Sequence, residues 1–297
     1  MPDPYGVRDE TGSGCHMASK LGGLLTAAKK RLADASSTAS LDAQLLMAHV
    51  IQADRAHVIA HPERELTEEQ AARFAALVER RAAGEPMAYI FGRRAFYDRE
   101  MVVSSAVLIP RPETELLVEF AIDSDQARRP DCAAVDVGTG SGAIAVTFAA
   151  HVPHATVYAT DLSAEALDVA RQNAELSQVK IEFLAGDLLA PLIERGVTVD
   201  LLLANLPYIT SGEIPDLDVS KYEPVLALDG GTDGLELVRR MMADAPRVLR
   251  PGGMVLLEIG AEQGQACAAI LRDALPGARV EVIQDYASLD RIVRAET

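Results

Sequence analysis

The sequence predicts an α/β protein: a seven-stranded, mostly parallel sheet with helices on both faces, preceded by a small helical bundle. Three observations carry this. From Ala133 onward, short apolar runs alternate with amphipathic helical stretches, the pattern of repeated βαβ units. The central runs lack apolar–polar alternation, so their sheet is covered on both faces. Between Leu21 and Arg81 the apolar residues instead recur at spacings of three and four, the period of packed helices.

Residues 1–19 read as a tag or a disordered tail, because Gly12-Ser13-Gly14-Cys15-His16-Met17 has no periodicity and resembles an expression scar. Residues 20–85 form the helical domain. Leu24, Leu25, Ala28 and Leu32 mark its first helix. Ser40 reads as the N-cap of the next, and Thr67 with Gln70 as a capping box before Ala71 to Ala83. Gly84 closes that helix. His57 and His61 sit four apart, but Pro62 and the missing carboxylate spacing make them surface or packing residues rather than metal ligands.

Residues 86–110 change character. Met101-Val102-Val103 and Val107-Leu108-Ile109 are β-like, and the segment reads as a β-hairpin linker. Residues 111–297 form the second domain. Two prolines stiffen Ile109-Pro110-Arg111-Pro112, and Glu113 or Thr114 starts a helix through Ile122. Strands are predicted at 133–137, 156–160, 179–183, 199–204, 254–259, 279–284 and 291–294, and helices at 142–151, 163–176, 235–249 and 262–275. The closeness of the last two strands predicts an antiparallel hairpin.

Composition narrows the function. The chain has 297 residues, enough for two domains with a sizeable core. No run of 18 apolar residues and no leader pattern appear, so a cytoplasmic protein without a membrane span is expected. Three scattered cysteines give neither a metal spacing nor a disulfide framework. The net charge of -16 repels phosphate backbones, so no direct nucleic-acid partner is expected.

The chemistry gathers at predicted strand ends. Asp136-Val137-Gly138-Thr139-Gly140-Ser141-Gly142 follows a strand and opens a helix, and its glycines let a ligand approach the backbone. The spacing G-x-G-x-G is not that of a pyrophosphate loop. Asp136 in front of it suits a ligand carrying an ammonium group, such as the methionine end of S-adenosylmethionine. Asp161 ends the second strand, 19 residues after Gly142, where a carboxylate accepts ribose hydroxyls or caps the next helix. Asp187 and Leu188 follow the third strand, placed to meet an adenine amino group and ring. Asn205 ends the fourth, with an uncharged acceptor and donor suited to a planar amide or an amino-purine edge.

These acids and amides at successive strand ends resemble the class I S-adenosylmethionine-dependent methyltransferase (Rossmann-like) fold. Asn205-Leu206-Pro207-Tyr208 is similar to the motif of amino-group methyltransferases: Asp, Asn or Ser, then Pro, Ile or Leu, then Pro, then an aromatic residue. The Asn205 oxygen and the Leu206 carbonyl can accept both hydrogens of one nitrogen, Pro207 holds the turn, and Tyr208 can stack on the planar acceptor. Gly84 to Gly92, Leu108 to Glu115, the glycine loop, Asn205 to Ile209, Tyr222-Glu223-Pro224, Ala227 to Leu235 and Glu258-Ile259-Gly260 follow in order. Together they resemble the peptide chain release factor N5-glutamine methyltransferase family (HemK/PrmC).

The resemblance implies methylation of the glutamine amide in the Gly-Gly-Gln motif of bacterial release factors, with S-adenosylmethionine consumed to S-adenosylhomocysteine and the N-terminal domain gripping the release factor. It carries the cofactor role to Gly138, Thr139, Gly140, Ser141, Gly142 and Asp161, and the substrate role to Asn205, Leu206, Pro207 and Tyr208. A monomer is expected. The family usually has Asn-Pro-Pro-Tyr; Leu206 departs from it, although a backbone carbonyl serves equally from any residue. Asn-Leu-Pro-Tyr also occurs in RNA adenine dimethyltransferases, so an N6-adenine methyltransferase acting on RNA or DNA is the alternative. A non-enzymatic binder of S-adenosylmethionine is the third reading, disfavoured by intact Asn205 and Tyr208.

Overall fold

The computed structural model describes residues 20–297, and the expected tag or tail lies outside the described residues. The chain divides after Ile90 into two compact units.

The first unit contains α1 (Leu21–Leu32), α2 (Ala39–Ile51), α3 (Arg55–Ala60), α4 (Glu68–Ala82) and most of α5 (Met87–Phe91). The helices α1, α2 and α4 pack on one another through buried Leu32, Leu46, Met47, Phe74 and Val78. The Thr67–Gln70 capping box forms as the spacing predicts. Ser40 is not the cap of α2; the helix begins two residues earlier, at Ala39 after Thr38. The reason is Asp42, which is buried and accepts from Ser36, Thr38 and Arg81, drawing the preceding turn onto the helix.

The second unit opens with a hairpin of β1 (Arg93–Phe96) and β2 (Arg99–Val102). This corrects the predicted pairing. Val107-Leu108-Ile109 is not a strand; Val107 and Ile109 are buried after a turn closed by Val107 N–H on the Ser104 carbonyl. The real partner, Arg93-Arg94-Ala95-Phe96, is exposed except at Phe96 and so lacks a strand-like apolar pattern.

Then follow α6 (Glu113–Asp123), β3 (Ala133–Val137), α7 (Ala143–His151), β4 (Thr156–Asp161), α8 (Ala164–Leu176), β5 (Glu182–Ala185), α9 (Ala190–Arg195), β6 (Val199–Ala204), α10 (Glu236–Val248), β7 (Leu249–Glu258), α11 (Gly264–Ala274), β8 (Arg279–Gln284) and β9 (Asp290–Glu296). The sheet order is β5-β4-β3-β6-β7-β9-β8. The first five strands are mutually parallel, and β9 is antiparallel to both β7 and β8. β5 starts three residues later than predicted, because Val179 N–H is spent on the Ala174 carbonyl at the exit of α8.

Period-two alternation of side chains explains the layers. Val135, Leu202, Ala204, Val255 and Leu257 face one core with residues of α9, α10 and α11. Ala134, Leu201, Leu203, Met254 and Leu256 face the other, with residues of α6, α7 and α8. The central strands β3 and β6 are buried along their whole length, which fixes where their carboxyl ends emerge.

Candidate active site

A cavity of ≈650 Å3 opens at the carboxyl edge of the sheet. This is within the usual range of small-molecule sites. It lies where the strand order reverses, between β3 and β6, the position at which open α/β sheets bind ligands. After β3 the chain turns through Gly138, Gly140 and Gly142, with φ of 71°, 55° and 80°. The amides of Gly138 and Thr139 both donate to the Thr160 carbonyl at 2.9 Å, tying this loop to β4.

Asp161 closes β4 and lines the cavity. Its Oδ2 accepts from Gly140 N at 2.8 Å and its Oδ1 from Ser163 N at 2.9 Å. Each carboxylate oxygen keeps a further lone pair for a ligand hydroxyl. Capping of α8 falls to Ser163, whose Oγ accepts from Ala166 N at 3.1 Å.

Asp136 plays a different part from the one its position suggested. It is 1% exposed and absent from the cavity wall. Its Oδ2 accepts from Thr139 Oγ1 at 2.6 Å and Ala145 N at 3.1 Å, while Oδ1 has no partner. Burial pushes its pKa up to about 7 against those two bonds. Asp136 therefore braces the loop and the first turn of α7 from behind and offers no carboxylate to a ligand's ammonium group.

Asp187 and Leu188 both line the wall. Asp187 is paired with Arg240 of α10, so any ligand amine shares it with a guanidinium. Leu188 stands at φ 47°, a left-handed conformation rare for a bulky side chain.

β6 delivers Asn205, Leu206 and Pro207 to the opposite wall; Tyr208 and Gly142 are not among the residues lining it. Leu206 is turned into the core, where a Cβ on Gly138 would approach its Cδ2 to 3.1 Å. The unusual leucine thus packs against the glycine loop. Tyr208 is half-buried, and its carbonyl accepts from Gln263 Nε2 at 3.0 Å. Asn205 Nδ2 donates to Thr114 Oγ1 at 3.0 Å. Thr114 belongs to α6 and is buried. Beside both stands Glu258, at the end of β7, whose Oε2 lacks a partner. Burial pushes Glu258 up to about 7, opposed by Thr114, Arg291 and Asn205.

A return loop covers this corner. Ile209 N donates to the Leu228 carbonyl at 3.1 Å, and Gly230 N to the Ile209 carbonyl at 2.8 Å. A Cβ on Gly230 would fall 2.6 Å from the Pro207 carbonyl oxygen, so only glycine lets the loop lie this close. Val225 and Leu226 of this loop line the cavity yet remain 50% and 55% exposed, and Leu162 opposite them is 60% exposed. The rim is therefore apolar.

Residues 23–92 match the PrmC N-terminal domain family, and residues 112–220 match the methyltransferase small domain family. The chain is 44% identical over 276 residues to the release factor glutamine methyltransferase of Cereibacter sphaeroides, covering 91% of this chain and 96% of that protein. It is 42% identical over 257 residues to the one of Moorella thermoacetica, covering 84% and 89%. This chain belongs to the release factor glutamine methyltransferase family. Among solved structures, the hMettl16 catalytic domain in complex with a MAT2A 3'UTR hairpin aligns with a TM-score of 0.50 at 16% identity, covering 77% of this chain and 82% of that one. That likeness shows the shared fold.

In this release factor glutamine methyltransferase site, several residues carry little mark in the sequence. Thr114 shows there only as a helix start, and Glu258 only as part of the family pattern. An acid closing an apolar run, as at Asp161, is the signal for Glu258. Nothing in the sequence marked Arg240, which reaches the wall from a helix surface. Among the described residues no helix is long and apolar enough to cross a membrane.

Proposed function

We propose that this enzyme transfers a methyl group from S-adenosylmethionine to the side-chain amide nitrogen of the glutamine in the Gly-Gly-Gln motif of bacterial peptide chain release factors, acting in the cytoplasm. The observation that carries the reading is Asn205 on the cavity wall with its amide nitrogen committed to Thr114.

The cavity fits the donor. The glycine loop brings backbone close to one side, Asp161 keeps free lone pairs for ribose hydroxyls, and Leu188 offers an apolar surface to a base. When bound, S-adenosylmethionine supplies a methyl group on a positively charged sulfur, open to displacement.

The rest is done by the chain. A carboxamide nitrogen is a poor nucleophile because its lone pair is delocalised. Asn205 Oδ1 and the Leu206 carbonyl accept its two hydrogens, which raises electron density on nitrogen and aims it into the cavity. Pro207 keeps that pair of acceptors rigid. Positioning and preorganised acceptors of this kind supply most of the rate enhancement. The apolar rim of Leu162, Val225 and Leu226 suits a protein loop, and the N-terminal helical unit helps hold the release factor.

The adenine-methylating alternative is weaker on electrostatic grounds. The wall holds Asp161, Asp187, Asp229 and Glu236 against Arg111 and Arg240, an acidic surplus that matches the net charge of -16 and opposes a polyanion. The test is incubation with isotope-labelled S-adenosylmethionine and either a release factor or total RNA, followed by mass analysis. Label on the Gly-Gly-Gln peptide is expected; label on RNA alone would overturn the reading.

A further inference from the structure

We propose that Glu258, together with Thr114, fixes which way the Asn205 amide faces, and is thus a positioning residue for the methyl acceptor; this rests on the methyltransferase reading above. An amide's oxygen and nitrogen are almost the same size, so packing does not choose between its two orientations. The partners behind it do.

Behind Asn205 the chain is Asn205 Nδ2 to Thr114 Oγ1, at 3.0 Å. Because the Thr114 oxygen accepts there, its own hydrogen is free to donate, and the Glu258 carboxyl group is the acceptor beside it. A carboxylate in that place attracts the amide NH2 and repels Oδ1. The NH2 is held inward, and Oδ1 is left on the cavity side, where an acceptor is needed.

Glu258 is otherwise hard to account for. It is 3% exposed at the end of β7, with Oε2 unpartnered. A buried carboxyl group is costly where an apolar residue would pack freely. Arg291 of β9 does not neutralise it fully, since its guanidinium is engaged with Asp285 at 3.1 Å and the Ile259 carbonyl at 3.3 Å. Glu113 of α6 adds a repelling charge, and Tyr208 is close enough for the same carboxyl group to raise its own pKa.

The arrangement titrates. Burial, with Glu113 adding to it, brings the Glu258 carboxyl up to about 7 against Thr114, Arg291 and Asn205. Once protonated it becomes a donor, able to bond Asn205 Oδ1 and stabilise the flipped amide. Turnover then falls as pH drops below about 7, while donor binding, which uses other residues, holds.

The experiment follows the Asn205 side-chain amide resonances of the full chain by NMR between about pH 5.5 and pH 8.5, assigned by their loss in Asn205→Ser. Wild type, Glu258→Gln and Thr114→Val are compared, with Thr114→Ser as the conservative rescue. Wild type is expected to show one transition near pH 7, and Glu258→Gln none. In parallel, Glu258→Gln and Thr114→Val should lower kcat about tenfold at pH 8 with KM and donor affinity within about twofold, and Thr114→Ser should restore it. Asn205 resonances and kcat that match wild type in both Glu258→Gln and Thr114→Val, or a transition that survives in Glu258→Gln, would overturn the proposal. The NMR result judges Glu258 without turnover, so failure to methylate any release factor would count against the substrate reading and leave this one decided separately.

Discussion

Arg111 Nη2 lies 2.8 Å from Oε1 and 2.9 Å from Oε2 of Glu223, joining the turn that leads into α6 to the loop that carries Pro224, Val225 and Leu226. Glu223 is almost wholly buried, and burial raises its pKa although Arg111 opposes the shift. Arg111→Ala strands that carboxylate. Because Arg111 is itself partly exposed, the loss of stability should be about 1–2 kcal/mol, below that of a fully buried pair. The loop it holds forms the cavity rim, so KM for the release factor should rise more than kcat falls. Steady-state kinetics and urea unfolding of the variant check both effects; an unchanged KM would remove the loop from substrate contact.

Under the proposed function, Asp161 offers its remaining lone pairs to the donor's ribose. Asp161→Ala should weaken S-adenosylmethionine binding by about 1.5–3 kcal/mol, the range for hydrogen bonds to a charged group. Calorimetric titration measures this directly. An affinity equal to wild type would confine Asp161 to its bonds with Gly140 and Ser163.

Two loop glycines should respond differently to alanine. Both have positive φ, so both variants carry the left-handed strain of about 1–2 kcal/mol. A Cβ on Gly140 meets open space, whereas one on Gly142 meets Ala170 Cβ at 3.1 Å and Cα at 3.2 Å. Gly142→Ala should therefore be less stable than Gly140→Ala by about 1 kcal/mol or more. Chemical denaturation ranks the pair, and the reverse order would contradict the packing of the loop on α8.

Asp136 makes stability depend on pH. Its folded-state pKa is raised to about 7 from an ordinary 3.8, so the native state holds the proton over that interval and the unfolded state does not. Stability is thus lost as pH rises through about 7. Asp136→Asn does not titrate. Relative to that variant, wild type should lose roughly 2–3 kcal/mol between pH 5 and pH 8. Urea unfolding of both proteins at the two pH values supplies the number; a difference that is constant or of opposite sign would mean that Asp136 is ionised in the native state throughout.

Some of this is legible in the sequence, for identifiable reasons. The strands β3 and β6 are covered on both faces, so uninterrupted apolar runs mark them, and the cavity-lining residues follow at their ends. The exposed strand β1 was not legible, because Arg93 and Arg94 earn their place through ladder bonds rather than burial. The six-residue α9 is too short to show a helical period. Asp136 illustrates a different limit: sequence places it one turn from the ligand loop, and only packing shows that its carboxyl group points away from the cavity. Thr114 and Glu258 are separated by 144 positions in the chain, so their approach beside Asn205 depends on α6 packing against β7.

The proposed mechanism requires Asn205 as an acceptor for the nitrogen that is methylated. The most direct measurement is single-turnover methylation of a release factor by Asn205→Ala, with donor affinity determined on the same preparation. The rate should fall on the order of 100- to 1,000-fold, as when one preorganised hydrogen-bonding group is removed from an active site, while donor affinity stays within about threefold. A rate close to wild type, with donor binding intact, would contradict the account.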